Sequence, residues 1–269
     1  MTRVLAVLLM LTACSPSRED ANAARYFELP DALEEISGLA AASPDSVFAH
    51  DDERGTIHEI SLDTGRVVRS FAIGNPVVRD DIEGIAADGE RLWIINSDGI
   101  IRAFNAGRDR SRVLHRQYDT GVGEYCEVEG LSLAPEPDTL LIACKNMRQG
   151  QRRGTLVIYE WNTITREPAG APRHQINLAE ALREERGEFA PSGIEWLPEF
   201  GRILVISARG RSMLVLDENG IVVARHRLNE SRHPQSEGVT VVGSNRLVIA
   251  DEGQQDRRGR IAVYPFPLG

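Results

Sequence analysis

Residues 80–86 read Asp80-Asp81-Ile82-Glu83-Gly84-Ile85-Ala86, and relatives of this stretch recur four more times along the chain. They are Glu35-Ile36-Ser37-Gly38-Leu39, Glu127-Val128-Glu129-Gly130-Leu131, Ala190-Pro191-Ser192-Gly193-Ile194 and Gln235-Ser236-Glu237-Gly238-Val239. The glycines fall at 38, 84, 130, 193 and 238, at intervals of 46, 46, 63 and 45 residues. A period of about 40 to 50 residues built from short apolar runs is the mark of a β-propeller blade, one repeat per four-stranded sheet.

Working outward from each glycine, the apolar runs and turn residues divide into strands. The first blade reads Ile36 to Ala41, Ser46 to Ala49, Thr56 to Ser61 and Arg66 to Ile73, with the turn Asp63-Thr64-Gly65 before the last. The second reads Gly84 to Ala87, Arg91 to Ile95, Ile100 to Phe104 and Ser111 to Tyr118. The third has strands Gly130 to Leu133, Thr139 to Ala143 and Thr155 to Trp161, a long loop Lys145 to Gly154, and a short helix over Leu178 to Arg186 that accounts for the longer interval. The fourth runs Gly193 to Leu197, Arg202 to Ile206, Ser212 to Leu216 and Ile221 to Leu228, and the fifth Gly238 to Val242, Arg246 to Ala250 and Arg260 to Tyr264.

The fifth blade lacks an outer strand, and one spare strand, Tyr26 to Leu29, stands ahead of the first blade. Hydrogen-bonding it to the last blade covers an open sheet edge and closes the ring. The expected fold is therefore all-β, a five-bladed propeller over residues 25–269 closed by its N-terminal strand. The alternative, six blades, needs one hidden in the 63-residue interval, which is too short for two full repeats.

The first 13 residues stand apart. Arg3 precedes an apolar run, Val4 to Leu11, too short to span a bilayer, and this reads as a cleaved export signal. Leu11-Thr12-Ala13-Cys14 resembles the bacterial lipobox, in which the cysteine is acylated, and Ser15 after it suggests sorting to the outer membrane. Residues 14–24 are small and polar and suit a tether. The expected location is thus the cell envelope, lipid-anchored at Cys14 and facing the periplasm. The formal net charge of −9 argues against nucleic acid or anionic lipid as the main partner and is compatible with a cation. A monomer is expected.

In a four-stranded antiparallel blade, the start of the innermost strand and the end of the second share one edge. Ser37, Glu83, Glu129, Ser192 and Glu237 therefore gather around the channel mouth. The loops after the second strands add His50-Asp51-Asp52, Asn96-Ser97-Asp98, Lys145-Asn146, Ser207-Ala208-Arg209 and Asp251-Glu252. Oxygen ligands of this kind suit a hard cation such as calcium, so Glu83, Glu129 and Glu237, completed by Asp81 and Asp251, form a candidate metal set. The competing reading pairs these carboxylates with Lys145 or Arg209. Of the six histidines, His50 and His233 are expected on the channel face, as loop residues open to solvent. Arg148, Arg152 and Arg153, with Arg257, Arg258 and Arg260, form candidate anion patches or solvated loops. No Gly-x-Ser-x-Gly elbow, phosphate-binding glycine loop or His-Glu-x-x-His occurs.

Cys126 precedes the inner strand of the third blade and Cys144 ends its second strand, so a hairpin turning at Pro135 to Asp138 brings them nearly opposite. In an oxidising compartment they should form a disulfide.

At Ile36-Ser37-Gly38-Leu39, Asp81-Ile82-Glu83-Gly84-Ile85, Glu129-Gly130-Leu131, Ser192-Gly193-Ile194 and Ser236-Glu237-Gly238-Val239 followed by Ala250-Asp251-Glu252, the chain resembles the SdiA-regulated family of bacterial envelope proteins. More loosely it is similar to esterase-like phytase and strictosidine synthase or lactonase propellers. The resemblance implies a periplasm-facing propeller with calcium near the channel. The function expected first is binding of a metal and a small ligand or envelope protein on the channel face. The second is a calcium-dependent hydrolase of esters, lactones or phosphate esters, with His50 or Asp251 as base, and the third a structural interaction module.

Overall fold

The computed structural model describes residues 24–148, 154–182, 189–254 and 257–266. The chain forms five small antiparallel sheets in a ring, the five-bladed propeller expected from the glycine repeat. Blade one consists of β2 (Ile36–Ser43), β3 (Ser46–Asp51), β4 (Thr56–Ser61) and β5 (Val67–Ile73), and the N-terminal strand β1 (Arg25–Glu28) lies ahead of it. Blade two has β6 (Ile82–Asp88), β7 (Arg91–Asn96) and β8 (Ile100–Asn105). Its expected outer strand, Ser111 to Tyr118, is split in two. β9 (Arg112–Val113) pairs in parallel with β5 of blade one, and only β10 (Arg116–Asp119) pairs with β8.

Blade three is built from β11 (Cys126–Leu133), β12 (Thr139–Met147), β13 (Thr155–Asn162) and β14 (His174–Asn177), followed by the short helix α1 (Leu178–Leu182). The strand β14 has no counterpart in the sequence reading, because His174-Gln175-Ile176-Asn177 offers a single aliphatic side chain and no clear alternation. The expected loop from Lys145 begins later, since β12 continues through Met147, and residues 149–153 and 183–188 lie outside the described ranges. Blade four contains β15 (Gly193–Leu197), β16 (Arg202–Ser207), β17 (Ser212–Asp217) and β18 (Val222–Arg227). Blade five contains β19 (Ser236–Val242), β20 (Arg246–Asp251) and β21 (Arg260–Pro265), and β1 pairs antiparallel with β21 along all four of its residues.

The core is not one mass but five clusters, one at each blade–blade interface. Phe48, Ile57, Phe71, Ile85 and Ile94 fill the space between blades one and two, and Leu204, Met213, Val239 and Ile249 that between four and five. Between blades five and one the cluster includes Leu29 and Leu33, supplied by the N-terminal segment, together with Ile36, Val248 and Ile261. Around the axis the inner strands contact in the cyclic order β2, β6, β11, β15, β19 and back to β2.

The repeated glycines are what let those inner strands meet. A Cβ on Gly84 would lie 2.6 Å from the backbone nitrogen of Leu131 in the next blade, and one on Gly238 would lie 3.2 Å from the backbone of Gly38, where the ring closes. Any side chain there must push two rigid strands apart.

Candidate functional site

Four of the five inner strands carry a pairing irregularity at the residue before the glycine. The register slips between Ile36 and Gly38, between Ile82 and Gly84, between Val128 and Leu131, and between Ser236 and Gly238. Ser37, Glu83, Glu129 and Glu237 thus fall in β-bulges, a device that re-aims a side chain out of the regular pleat. In blade four the strand starts only at Gly193, and the Ser192 hydroxyl donates to the Ser236 carbonyl at 2.6 Å.

The three glutamates converge at the channel mouth. Ser37 Oγ donates to Glu83 Oε2 at 3.2 Å, and the Lys145 ammonium donates to Glu129 Oε1. Burial, and then the charges of Glu129 and Asp81, hold the Glu83 carboxyl well above the usual range. Glu129 is raised by burial although Lys145 opposes the shift. Glu237 is pushed up to about 8 by burial and by Glu129. Burial pulls the Lys145 ammonium down, but Glu129, Glu83 and Glu237 outweigh it and raise its pKa. One ammonium therefore serves three glutamates, and the pairing with Lys145 weighed from the sequence is present at Glu129.

Carboxylates continue along the rim. Asp52 is raised to about 6 by burial and by Glu35, Asp51 and Asp81, and its Oδ1 is buried without a hydrogen-bond partner. Burial, then Asp52 and Glu35, raise Glu252 as well. Beside them a cleft of about 710 Å³ is lined by Asp31, Glu34, Glu35, Asp51, Glu53 and Glu252, together with Arg54 and His58. Among the described residues, no three His, Cys, Asp or Glu side chains form a ready-made metal cage.

The structure brings Glu83, Glu129, Glu237 and Asp81 together electrostatically, whereas Asp251 is committed elsewhere. Its Oδ2 bonds His233 Nδ1 at 2.7 Å and lies 3.7 Å from Arg260 Nε. His233 Nε2 continues to the Tyr264 hydroxyl at 2.6 Å, which meets the Tyr26 hydroxyl of β1 at 2.9 Å, so this chain of polar groups ties the closing strand to blade five.

The expectation that His50 and His233 are solvent-facing is corrected, since they are 0% and 4% exposed. His50 sits against Gly38, in the space a side chain there would need. Burial lowers its pKa to about 4. Of the arginine patches, Arg148 pairs with Asp98 at 2.7 Å and Arg258 with Asp31 at 3.0 Å, while Arg152 and Arg153 lie outside the described residues. So does Cys14.

Residues 167–258, which include blade four and the strands β19 and β20 of blade five, match the family model described as SdiA-regulated. The chain is a five-bladed β-propeller that matches the SdiA-regulated family over this stretch. No curated protein matches it in sequence. Among solved structures, the propeller resembles luciferin-regenerating enzyme at TM-score 0.58 and 10% identity, covering 92% of this chain and 96% of that one. It resembles glutaminyl cyclase of Myxococcus xanthus at TM-score 0.58 and 17% identity, with 90% and 95% covered. A third likeness is to the PQQ-bound aldose sugar dehydrogenase of Streptomyces coelicolor, at TM-score 0.54 and 13% identity, with 91% and 98% covered. At such identities these proteins share the propeller fold with this chain and nothing narrower.

Proposed function

We propose that this propeller is an envelope protein of the SdiA-regulated family whose channel mouth binds a calcium ion and, with it, a small ligand or an envelope partner. The observation that supports this reading is the charge imbalance at the mouth, where Glu83, Glu129 and Glu237 share the single Lys145 ammonium and Asp81 and Asp52 add to the same field. Buried like charges raise one another's pKa until a cation relieves them. Glu83, Glu129, Glu237 and Asp81 are the oxygen donors that would hold the ion, a donor set suited to calcium. The hydrolase reading needs a base open to the mouth, and both of its candidates, His50 and Asp251, are fully buried.

Calcium at one hundred times its dissociation constant should stabilise the fold by about 2.7 kcal/mol. Thermal melting in calcium against chelator measures this, and Glu83→Gln should remove most of the increase. Carboxyls whose folded pKa lies above the unfolded value keep protons that the unfolded chain has released. Their contribution is therefore complete below the unfolded pKa of about 4.5 and is lost as pH rises through the folded values. For Glu237 that loss extends to about pH 8. His50, lowered to about 4, acts in the opposite sense only below the ordinary imidazole value of 6.5. In chelator the melting temperature should thus fall between pH 6.5 and 9, and calcium should flatten the fall. Superimposable curves with and without calcium across that range would falsify the ion site.

The anchor is a separate part of the proposal, carried by Leu11-Thr12-Ala13-Cys14. Acyl chains at Cys14 would bind a bilayer at about 0.8 kcal/mol per buried methylene. Cys14→Ser should shift the protein from the membrane fraction to the soluble one. Recovery of the unaltered protein in the soluble periplasmic extract would rule the anchor out.

A further inference from the structure

The opposite end of the channel holds a second cavity of different character. The residues two places after the repeated glycines are Ala40, Ala86, Ser132, Glu195 and Thr240, one on each inner strand. Two of the five are alanines, and a cavity of about 260 Å³ remains, walled mainly by the alanines and by Leu133, Trp196, Leu197 and Phe200. Glu195 lines it from β15 and keeps part of its surface open to it. Its Oε2 accepts from Ser132 Oγ at 3.3 Å and its Oε1 from Thr240 Oγ1 at 2.9 Å, so three adjacent inner strands hold the carboxyl in one orientation. Among the described residues, no Lys, Arg or His lines the cavity, and the other ionisable group there is a second acid, Glu199.

A carboxyl held by two hydroxyls, without a counter-charge and beside an apolar wall, is matched by a molecule that brings a positive charge on an apolar body. We propose that this cavity is a binding site for a small organic amine, its ammonium against Glu195 and its hydrocarbon part against Trp196, Leu197 and Phe200. Burial pushes Glu195 up to about 8, so near neutrality the acid is largely protonated. On binding, the carboxyl proton leaves to solvent and the ligand's ammonium takes its place as counter-charge. The carboxylate formed keeps both hydroxyl donors, and the partly exposed Trp196 adds an aromatic ring to the cavity wall, a group that attracts cations. A neutral ligand of the same shape leaves the acid as it was and gains only the apolar contact. The site is independent of the calcium mouth, since Glu195 lies three residues along the chain from Ser192, which holds the place of the mouth glutamates in this blade, and its shift has no contribution from Glu83, Glu129 or Glu237.

Hexylamine and hexanol at pH 7.5, followed by tryptophan fluorescence and calorimetry, test the proposal on the full chain. Saturable hexylamine binding is expected, with hexanol at least about ten-fold weaker, a difference of about 1.4 kcal/mol. Glu195→Gln keeps the shape and hydrogen-bonding capacity, and it should weaken hexylamine about ten-fold while leaving hexanol unchanged. Glu83→Gln should leave the amine affinity as it is, so failure here and failure of the calcium reading are distinguishable. If Glu195→Gln does not fold, Ala41→Leu, which fills the cavity without touching the carboxyl, should abolish binding instead. Equal affinity for amine and alcohol, undiminished amine binding in either folded variant, or no saturable binding would overturn the proposal.

Discussion

A chain that starts at residue 35 should lose its cooperative melting transition and elute as aggregate rather than as a compact monomer. The segment removed contains β1, whose four residues all pair with β21, and the buried leucines Leu29 and Leu33, which are 1% and 0% exposed. Burial of two leucines contributes about 3–6 kcal/mol, against a total stability for a domain of about 5–15 kcal/mol. The Leu29 amide also donates to the Gly259 carbonyl at 2.8 Å, and the Tyr26–Tyr264 contact that ends the His233–Asp251 chain disappears with the strand. What remains exposes the edge of β21, a template for pairing with other chains. Far-UV circular dichroism and gel filtration of the truncated protein measure the effect. A truncated chain melting within a few degrees of the full one would mean that the ring does not depend on its closing strand.

Replacing both Cys126 and Cys144 by alanine should lower the melting temperature by about 6–12 °C, from a loss of about 3 kcal/mol. The disulfide links the inner and second strands of blade three across a sequence separation of 18 residues, with Cα atoms 5.7 Å apart. Both half-cystines are buried, at 0% and 3% exposure, within the cluster between blades two and three. The bond shortens the loop available to the unfolded chain and anchors the two strands that carry Glu129 and Lys145. The wild-type protein under reducing conditions should move in the same direction. A double-alanine variant melting at the wild-type temperature would show that packing alone holds the blade.

The glycine repeat carried the blade count because a propeller imposes the same steric demand five times. Wherever neighbouring inner strands nearly touch, as at Gly84 and Gly238, a side chain cannot be accommodated, and the demand appears in the sequence at a fixed period. Strand β14 leaves no mark in the sequence because an outer strand is half exposed and its residues need not alternate. The splitting of the second blade's outer strand is not encoded locally for a related reason, since Arg112 and Val113 pair with a different blade and local pattern does not identify a partner.

The convergence of Glu83, Glu129 and Glu237 followed from their equal place before each glycine, because equivalent positions in a closed ring must face one axis. The disulfide followed from hairpin arithmetic, which is local. Tertiary structure alone decided that His50 fills the space beside Gly38, that Asp251 belongs to His233 and Arg260, and that Glu195 stands beneath Ser132 and Thr240 in an apolar cavity. Those outcomes depend on which side chains meet across blades and on how completely water is excluded from them. A repeat in sequence determines the spacing of strands around an axis, whereas burial and charge pairing are set by atoms far apart in the chain that only the closed ring brings within reach.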